Sequence, residues 1–564
     1  QRPPRIRGFT AASVARERAL EAELSRRLSR DSTAAFFKYL TAEPHPAGSV
    51  RNKTLADFVA ARFRQYGLEG VRMHRYDVLL PWPREVRVEM TAPTRYVATL
   101  EDVRMHRYDV LLPWPREVKV EMTAPTRYVA SLKEDAYPQD PQTAQDPGPT
   151  YLGMSASGDV TGELVYASSG NPSDYDWLES QGISLKGKIA IVRYSVPYSY
   201  RGFKALTAQK RGLAALLIYS DPAQDGFAKG DTFPVGPWGP SSHIQRGSIT
   251  YDFMIAGDPL TPGYASLPGA PRINAEDALS LPKIITVPMS YRDATPLLRA
   301  LGGPEAPKQW QGALGFTYHV GGGATVHVKV DMDSATRPIY VVEGRIRGTE
   351  EPDKFVLLGN HRDAWVFGGV DPSSGTATQL ELARVLGAMA KEGKRPKRSI
   401  VFADWDAEEW HLTGSTEWGE NFADDVKENA IAYLNVDAST SGSNFEATAV
   451  ASLNDVVTET VRDVKDPTRT GSVLDAWGRR NKTARGPLDY PANALGSGSD
   501  YTVFLNFLGV PVVEMDFDGP YGVYHSVYDD YYWMTHFGDP GFNYMTAMSE
   551  VWGRMAMRLA NADV

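Results

Sequence analysis

From Ile339 onward, short apolar runs alternate with amphipathic helical patterns, and this alternation narrows sharply what the C-terminal part of the chain can fold into. The runs Phe355-Val356-Leu357-Leu358-Gly359, Ser399-Ile400-Val401-Phe402-Ala403 and Ala432-Tyr433-Leu434-Asn435-Val436 are separated by helical patterns over residues 373–391 and 415–429. Strands that are apolar throughout and joined by helices predict a mostly parallel sheet covered on both faces. Ligands in such sheets gather beyond the strand C-termini. His361, the pair Glu408 and Glu409, and Asp437 all stand at or just past such ends.

A chain of 564 residues exceeds what one core usually holds, so two large units are expected, one of them discontinuous. The 42% hydrophobic content is that of a globular protein, and no apolar run of about 18 residues is present to span a bilayer. A formal charge of -9, with Lys and Arg interspersed among acids, leaves no basic footprint for nucleic acid. There are no cysteines, so disulfides and thiolate ligands are excluded and any metal must be held by His, Asp and Glu. Gln1 to Gly8 carries no apolar signal core, so a signal segment is either absent or already removed. A cysteine-free chain of this kind suits a secreted or periplasmic protein.

Residues 11–66 read as helices, with Leu20, Leu24 and Leu28 on one stripe and Leu55, Phe58, Val59 and Phe63 on another. A tandem duplication follows. Residues 71–102 recur almost letter for letter as 103–134, a 32-residue period in which Arg87, Thr99, Glu101 and Asp102 become Lys119, Ser131, Lys133 and Glu134. Two copies are too few for a solenoid. Each copy alternates apolar and charged residues, as at Val86, Val88 and Met90, and so predicts strands, one copy being either accommodated as an extra hairpin or loop or the product of a sequence-assembly error. A connection rich in Pro, Gln and Asp over 136–149 leads into a mixed α/β region with strands over 188–193 and 214–219.

Taken singly, the candidate site residues are ordinary. A lone histidine near a strand end is commonly structural, Asp371-Pro372 reads as a turn or helix cap, and Glu408-Glu409 reads equally as a solvated helix start. Together with Asp437 and His525 they form the ligand inventory of a two-zinc hydrolase, in which one glutamate of the pair binds metal while the other moves a proton. Asp363, two residues after His361, could bind the second imidazole nitrogen and fix its tautomer.

The stretches His361-Arg362-Asp363-Ala364-Trp365-Val366-Phe367-Gly368-Gly369-Val370-Asp371-Pro372, Trp405-Asp406-Ala407-Glu408-Glu409, Gly414-Ser415-Thr416-Glu417-Trp418, Asn435-Val436-Asp437 and Tyr524-His525-Ser526-Val527-Tyr528 closely resemble those of glutamate carboxypeptidase II and its relatives. This is the M28 branch of zinc exopeptidases, which also contains the transferrin receptors. The resemblance implies a discontinuous α/β peptidase domain, from residues 1–70 and 339–564, with an inserted protease-associated-like domain over 71–338. It implies that His361 and Asp437 complete one zinc, that Glu409 and His525 complete the other, and that Asp371 bridges both. A zinc-bridging hydroxide would then attack the peptide carbonyl, with Glu408 as general acid and base and Tyr524 donating to the tetrahedral intermediate. Thr261, Tyr264, Glu417 and Glu420 match a structural calcium site.

The recognition residues match less closely. Arg201 corresponds to an arginine that grips a substrate carboxylate, but Ser248, and Ser499 beside Gly498, stand where glutamate-selective members carry Asn. Glu514 and Asp516 fall roughly where those members carry arginines. Such an acidic wall would attract a free amine or a basic side chain, unless both acids are paired and structural. After the helix expected over 542–559 few residues remain, whereas relatives continue into a helical domain that makes the dimer and completes the glutamate pocket. The expectation is therefore a peptide-cleaving exopeptidase, carboxypeptidase or aminopeptidase, whose homodimerisation is in question without that domain. The alternative is a non-catalytic module like the transferrin receptors, which have lost the five metal ligands kept here.

Overall fold

Three helices open the chain, Ala11–Arg27, Arg30–Leu40 and Val50–Tyr66, each started by a hydroxyl side chain (Thr10, Ser29, Ser49) that accepts from a backbone N–H in the first turn. Gly67, in the left-handed conformation, ends the third. The computed structural model describes residues 6–83, 118–194, 200–480 and 495–563. Leu55, Val59 and Phe63 are fully buried, as their helical spacing predicts, and this stripe packs on the Gly375–Lys391 helix and the Thr336–Ile346 strand.

The first sheet has seven strands in the order Glu69–Leu79, Thr336–Ile346, Arg398–Trp405, Glu351–His361, Ala430–Asn435, Val512–Asp518, Asn444–Ala449. Its four central members, from Arg398–Trp405 to Val512–Asp518, run parallel and its edges antiparallel. The apolar runs that predicted this sheet are buried on both faces. A second seven-stranded sheet has the order Tyr128–Val129, Val118–Ala124, Gly321–Val330, Gly158–Tyr166, Ile189–Arg193, Ala215–Tyr219, Ile285–Met289, with its last four strands parallel. The chain thus enters the first sheet, builds the second, and returns.

Three local departures from the sequence reading have physical causes. The Glu69–Leu79 strand runs past residue 70 and pairs with Thr336–Ile346, because its alternating Tyr76 and Val78 find a buried face there. The helix expected over 415–429 divides into Thr413–Asn421 and Ala423–Asn429, because Phe422 leaves the helical conformation (φ −116°, ψ 24°) to pack on Trp418 and His74. The helix expected from residue 373 is led in by a π-helical turn, Gly369–Ser374, and becomes α-helical at Gly375, where a Cβ would lie 2.5 Å from the Asp437 carbonyl oxygen and 2.2 Å from Asn360 Nδ2. Only glycine lets the helix start so close to the strand ends.

In the duplication, Val118, Val120 and Met122 of the second copy form the expected strand, whereas Val86, Val88 and Met90 of the first lie outside the described residues. The described parts, 71–83 and 118–134, come from the opening of one copy and the close of the other.

Two buried charge networks hold the discontinuous halves together. Glu21, in the first helix, meets Arg558 Nε at 2.6 Å and Arg554 Nη1 at 2.8 Å, both on the last helix, Asn543–Asn561. Beside His361, the fully buried Arg362 pairs with Asp404 and, at 3.1 Å, with Asp406, and its Nε donates to Asn52 Oδ1 at 2.8 Å. Removing either partner would leave a charge buried without compensation. The strand ends bearing the candidate site are thereby pinned to the N-terminal helices.

Candidate metal centre

His361 closes its strand, Asp437 follows the neighbouring strand, and Glu408 and Glu409 follow a third, so the parallel sheet alone brings four candidates to one edge. Asp371 and His525 arrive on loops. The six side chains fall into two groups, His361 with Glu408 and Asp437, and Asp371 with Glu409 and His525, each with ligand atoms within 4.8 Å of one another. Asp371 joins the groups: its Oδ1 lies 3.1 Å from His361 Nε2 and its Oδ2 3.1 Å from His525 Nε2. Asp437 Oδ1 is 3.0 Å from His361 Nε2, and Glu409 Oε2 is 3.1 Å from His525 Nε2. Glu408 stands back, with Oε2 at 3.9 Å from His361 Nε2. That offset separates the two neighbouring glutamates, one among the ligand atoms and one beside them.

Both imidazoles present the same face. His361 Nδ1 lies 3.0 Å from the Asp363 carbonyl oxygen and His525 Nδ1 lies 3.1 Å from the Arg246 carbonyl oxygen. With its proton on Nδ1, each ring turns the Nε2 lone pair to the cluster. Asp363 departs from its expected role here, since its carbonyl engages His361 while its carboxylate, 3.7 Å from Nδ1, accepts from the Glu408 backbone N–H at 3.0 Å. It orients the Glu408 backbone as well as His361. Trp365, not singled out in the sequence, joins the site too: its indole donates to Glu409 Oε2 at 2.7 Å, and its signal was its place inside the His361 to Pro372 stretch.

Asp371 Oδ1 and Glu409 Oε1 are buried without hydrogen-bond partners. With both imidazoles neutral and all four carboxylates ionised, as metal binding requires, the site would carry four negative charges, which two divalent ions would balance. The donor set of His and carboxylate fits zinc. Burial pushes the Glu408 carboxyl well above its ordinary range, with the Asp437 and Asp500 charges adding to it, and lifts Glu409 to about 7. Burial would lower His525, but the charge of Glu409 and the hydrogen bond to Asp371 hold it up at about 9. Burial raises Tyr524 as well, and the Asp371 charge adds to this, so its hydroxyl keeps its proton and can donate.

These directions set the pH dependence of metal uptake. Metal binds the deprotonated ligands. Between pH 7 and 9 His525 must release a proton on binding, as must His361, whose burial is outweighed by the Asp437 and Glu408 charges so that it stands well above its ordinary range, and below 7 Glu409 must release another, so affinity falls as pH falls. Zinc titration of the chelator-stripped chain should show apparent affinity dropping by at least about tenfold per pH unit from 9 to 7, more steeply below 7. A flat profile would contradict the assignment.

The backbone around the cluster is strained. Ala407, His411, Leu412 and His525 all have positive φ, at 58°, 139°, 55° and 59°. For side-chain-bearing residues each such conformation costs about 1–3 kcal/mol and persists only where surroundings impose it.

A cavity of about 480 Å³ opens beside the cluster, lined by Glu408, Glu409, Tyr524, Arg201, Ser248 and Gly498, among others. Arg201 donates from Nε to the Ser248 carbonyl at 3.2 Å and from Nη1 to Gln245 Oε1 at 3.2 Å. It fits there because Gly247, at φ 144°, has no Cβ to collide with the guanidinium. Ser499, Glu514 and Asp516 are not among the lining residues. Ser499 donates instead to Asp437 Oδ2, and Glu514 accepts from Asn435, its cross-strand neighbour. Asp516, two residues along the same strand, faces Glu446 and Asp518, and burial raises its carboxyl to about 8. Besides Glu408 and Glu409, the acids that line the cavity are Asp225 and Asp252.

The calcium candidates gather elsewhere. Glu417 accepts from the Asp258 N–H at 2.7 Å and from the Ser266 N–H, and burial raises it well above its range, with Glu420 adding to this. Thr261 Oγ1 and Glu420 Oε2 are buried without hydrogen-bond partners. Tyr264 is 38% exposed, and its hydroxyl donates to the Pro271 carbonyl at 2.8 Å.

Residues 342–536 match the model of peptidase family M28, and residues 160–250 match the PA domain. Aminopeptidase NAALADL1 of Rattus norvegicus is 34% identical over 556 residues, covering 93% of this chain and 70% of that protein. A probable glutamate carboxypeptidase of Arthroderma benhamiae is 40% identical over 550 residues, covering 93% and 69%. Among solved structures, a peptidase M28 precursor from Shewanella amazonensis (16% identity, TM-score 0.58, 97% of both chains) and BSAP, a zinc aminopeptidase from Bacillus subtilis (14%, TM-score 0.55, 95% and 98%), share the fold. Among the described residues no helix is long and apolar enough to cross a membrane.

Proposed function

The chain belongs to peptidase family M28 and is a metallo-exopeptidase; from that premise we propose that it works with two zinc ions and with Glu408 as general acid and base. The observation that carries this reading is Asp371, which offers one carboxylate oxygen, at 3.1 Å, to each of the two imidazoles. His361 and Asp437 would hold one ion, Glu409 and His525 the other, and Asp371 both. Bound zinc would supply a Lewis acid for the peptide carbonyl and lower the pKa of a water.

The chain's own groups do the rest. Glu408, beside the ligands and facing the cavity, takes the proton of the attacking water and returns it to the leaving amine. Tyr524 donates to the carbonyl oxygen as charge develops there. The Asp363 carboxylate, by accepting from the Glu408 N–H, keeps the base aimed at the cavity. A structural calcium ion is proposed where Glu417, Glu420 and Thr261 meet, supported by the two unpartnered buried oxygens there. The retained metal-binding set gives a non-catalytic module no support.

Which terminus is recognised depends on the cavity wall. A substrate carboxylate would be drawn to Arg201, whereas a free ammonium would be drawn to Asp225 and Asp252. Peptides blocked at one end decide between them. If N-acetylation abolishes cleavage the protein is an aminopeptidase, and if C-terminal amidation does so it is a carboxypeptidase. Cleavage indifferent to both blocks would sink the exopeptidase reading.

A further inference from the structure

Two charged residues outside the ligand set are buried against the loop that carries His525. Arg246 and Glu134 have side chains only 2% and 1% exposed, and their charges meet at 2.7 Å. An ion pair this dry adds little to stability relative to well-packed apolar residues. Its neighbours suggest another use. The Arg246 N–H donates to the His525 carbonyl at 3.3 Å, and the Arg246 carbonyl lies 3.1 Å from His525 Nδ1. The guanidinium Nη1 reaches that same His525 carbonyl at 3.5 Å, and the Ile244 carbonyl at 3.4 Å. Glu134 Oε1 in turn accepts from the Ile244 N–H at 3.1 Å and the Val527 N–H at 3.4 Å.

Residues 244–246 and 525–527 are thus laced together, with the ion pair as the knot between them. This lacing explains how His525 holds φ 59°, which a residue with a side chain keeps only when its surroundings fix it. It also sets the ring, because the group bonded to Nδ1 decides the direction of Nε2.

We propose that the Glu134–Arg246 pair is a positioning unit for the metal half made by Asp371, Glu409 and His525, so that this half takes up its ion only as well as the inserted segments dock on the His525 loop. The proposal rests on the two-zinc reading above. By reciprocity, an ion in that half holds residues 244–246 in place.

The test is zinc binding to the full chain after chelator stripping, in competition with a chromophoric chelator. Arg246→Met and Glu134→Gln should each weaken one of the two ions by about 10–100-fold and leave the other unchanged. In a His525→Ala background Arg246→Met should add no further loss, which a general loosening of the fold would not reproduce. Zinc should also slow amide exchange at residues 244–246 in the parent and not in Arg246→Met. Because each single variant leaves one charge buried alone, the paired variant Glu134→Gln with Arg246→Met is measured beside them. It should keep the parent's circular dichroism and still lose at least about tenfold for one ion. A folded variant that binds both ions like the parent overturns this proposal alone, whereas a parent that binds no zinc overturns the two-zinc reading and this proposal with it.

Discussion

Glu408→Gln should lower kcat by about 10²–10⁴-fold while the protein retains both metal ions and its KM changes little. Glutamine keeps the size of the side chain and leaves the backbone N–H bonded to Asp363 Oδ1. It cannot accept a proton. Glu408 Oε2 is 3.9 Å from His361 Nε2, where Asp371 and Asp437 approach to 3.1 and 3.0 Å, so the substitution should spare the metal. Steady-state kinetics with metal analysis of the same sample checks both halves of this expectation. If kcat falls only in proportion to lost metal, Glu408 is a ligand and the division of labour between the two glutamates is wrong.

Asp371→Ala should do more, because one carboxylate serves both halves. Its two oxygens each lie 3.1 Å from a different imidazole, so alanine weakens both ions at once. Lewis-acid assistance is worth several kcal/mol of barrier, and each ~1.4 kcal/mol is tenfold in rate, so kcat should fall by about 10³-fold or more. The loop itself should survive. Asp529 accepts from the Val370 N–H at 2.7 Å and the Asp371 N–H at 3.3 Å, and neither bond involves the Asp371 side chain. Zinc titration should show both affinities reduced, whereas His525→Ala should reduce mainly one. An Asp371→Ala protein with two tightly bound ions would remove the bridging assignment.

The parts of the site that the sequence made legible are those that secondary structure alone delivers. His361, Glu408, Glu409 and Asp437 follow apolar strands, and parallel strands bring their C-terminal ends to one edge whatever the rest of the chain does. The cavity wall was less legible because it depends on where separate loops meet. Asp252, in a loop of the inserted region, and Asp225, in a one-turn helix, join Glu408 in one cavity wall only through the tertiary fold. Glu514 looked like a wall residue by its position in the chain, yet register pairs it with Asn435. Asp363 shows a finer limit: which of its oxygens meets His361 depends on a turn geometry that residue spacing does not contain. Arg246 and Glu134, 112 positions apart, carried no local signal at all.

The four side-chain-bearing residues at positive φ around the cluster bear on how this protein would respond to selection. Relaxing any of Ala407, His411, Leu412 or His525 into an ordinary conformation would release about 1–3 kcal/mol, as much as many beneficial core changes provide. A library screened for heat resistance alone would therefore be drawn to this stretch of backbone and would enrich for robust, inactive proteins. Screens that score turnover and endurance together would leave these four positions alone and find their gains in the outer helices.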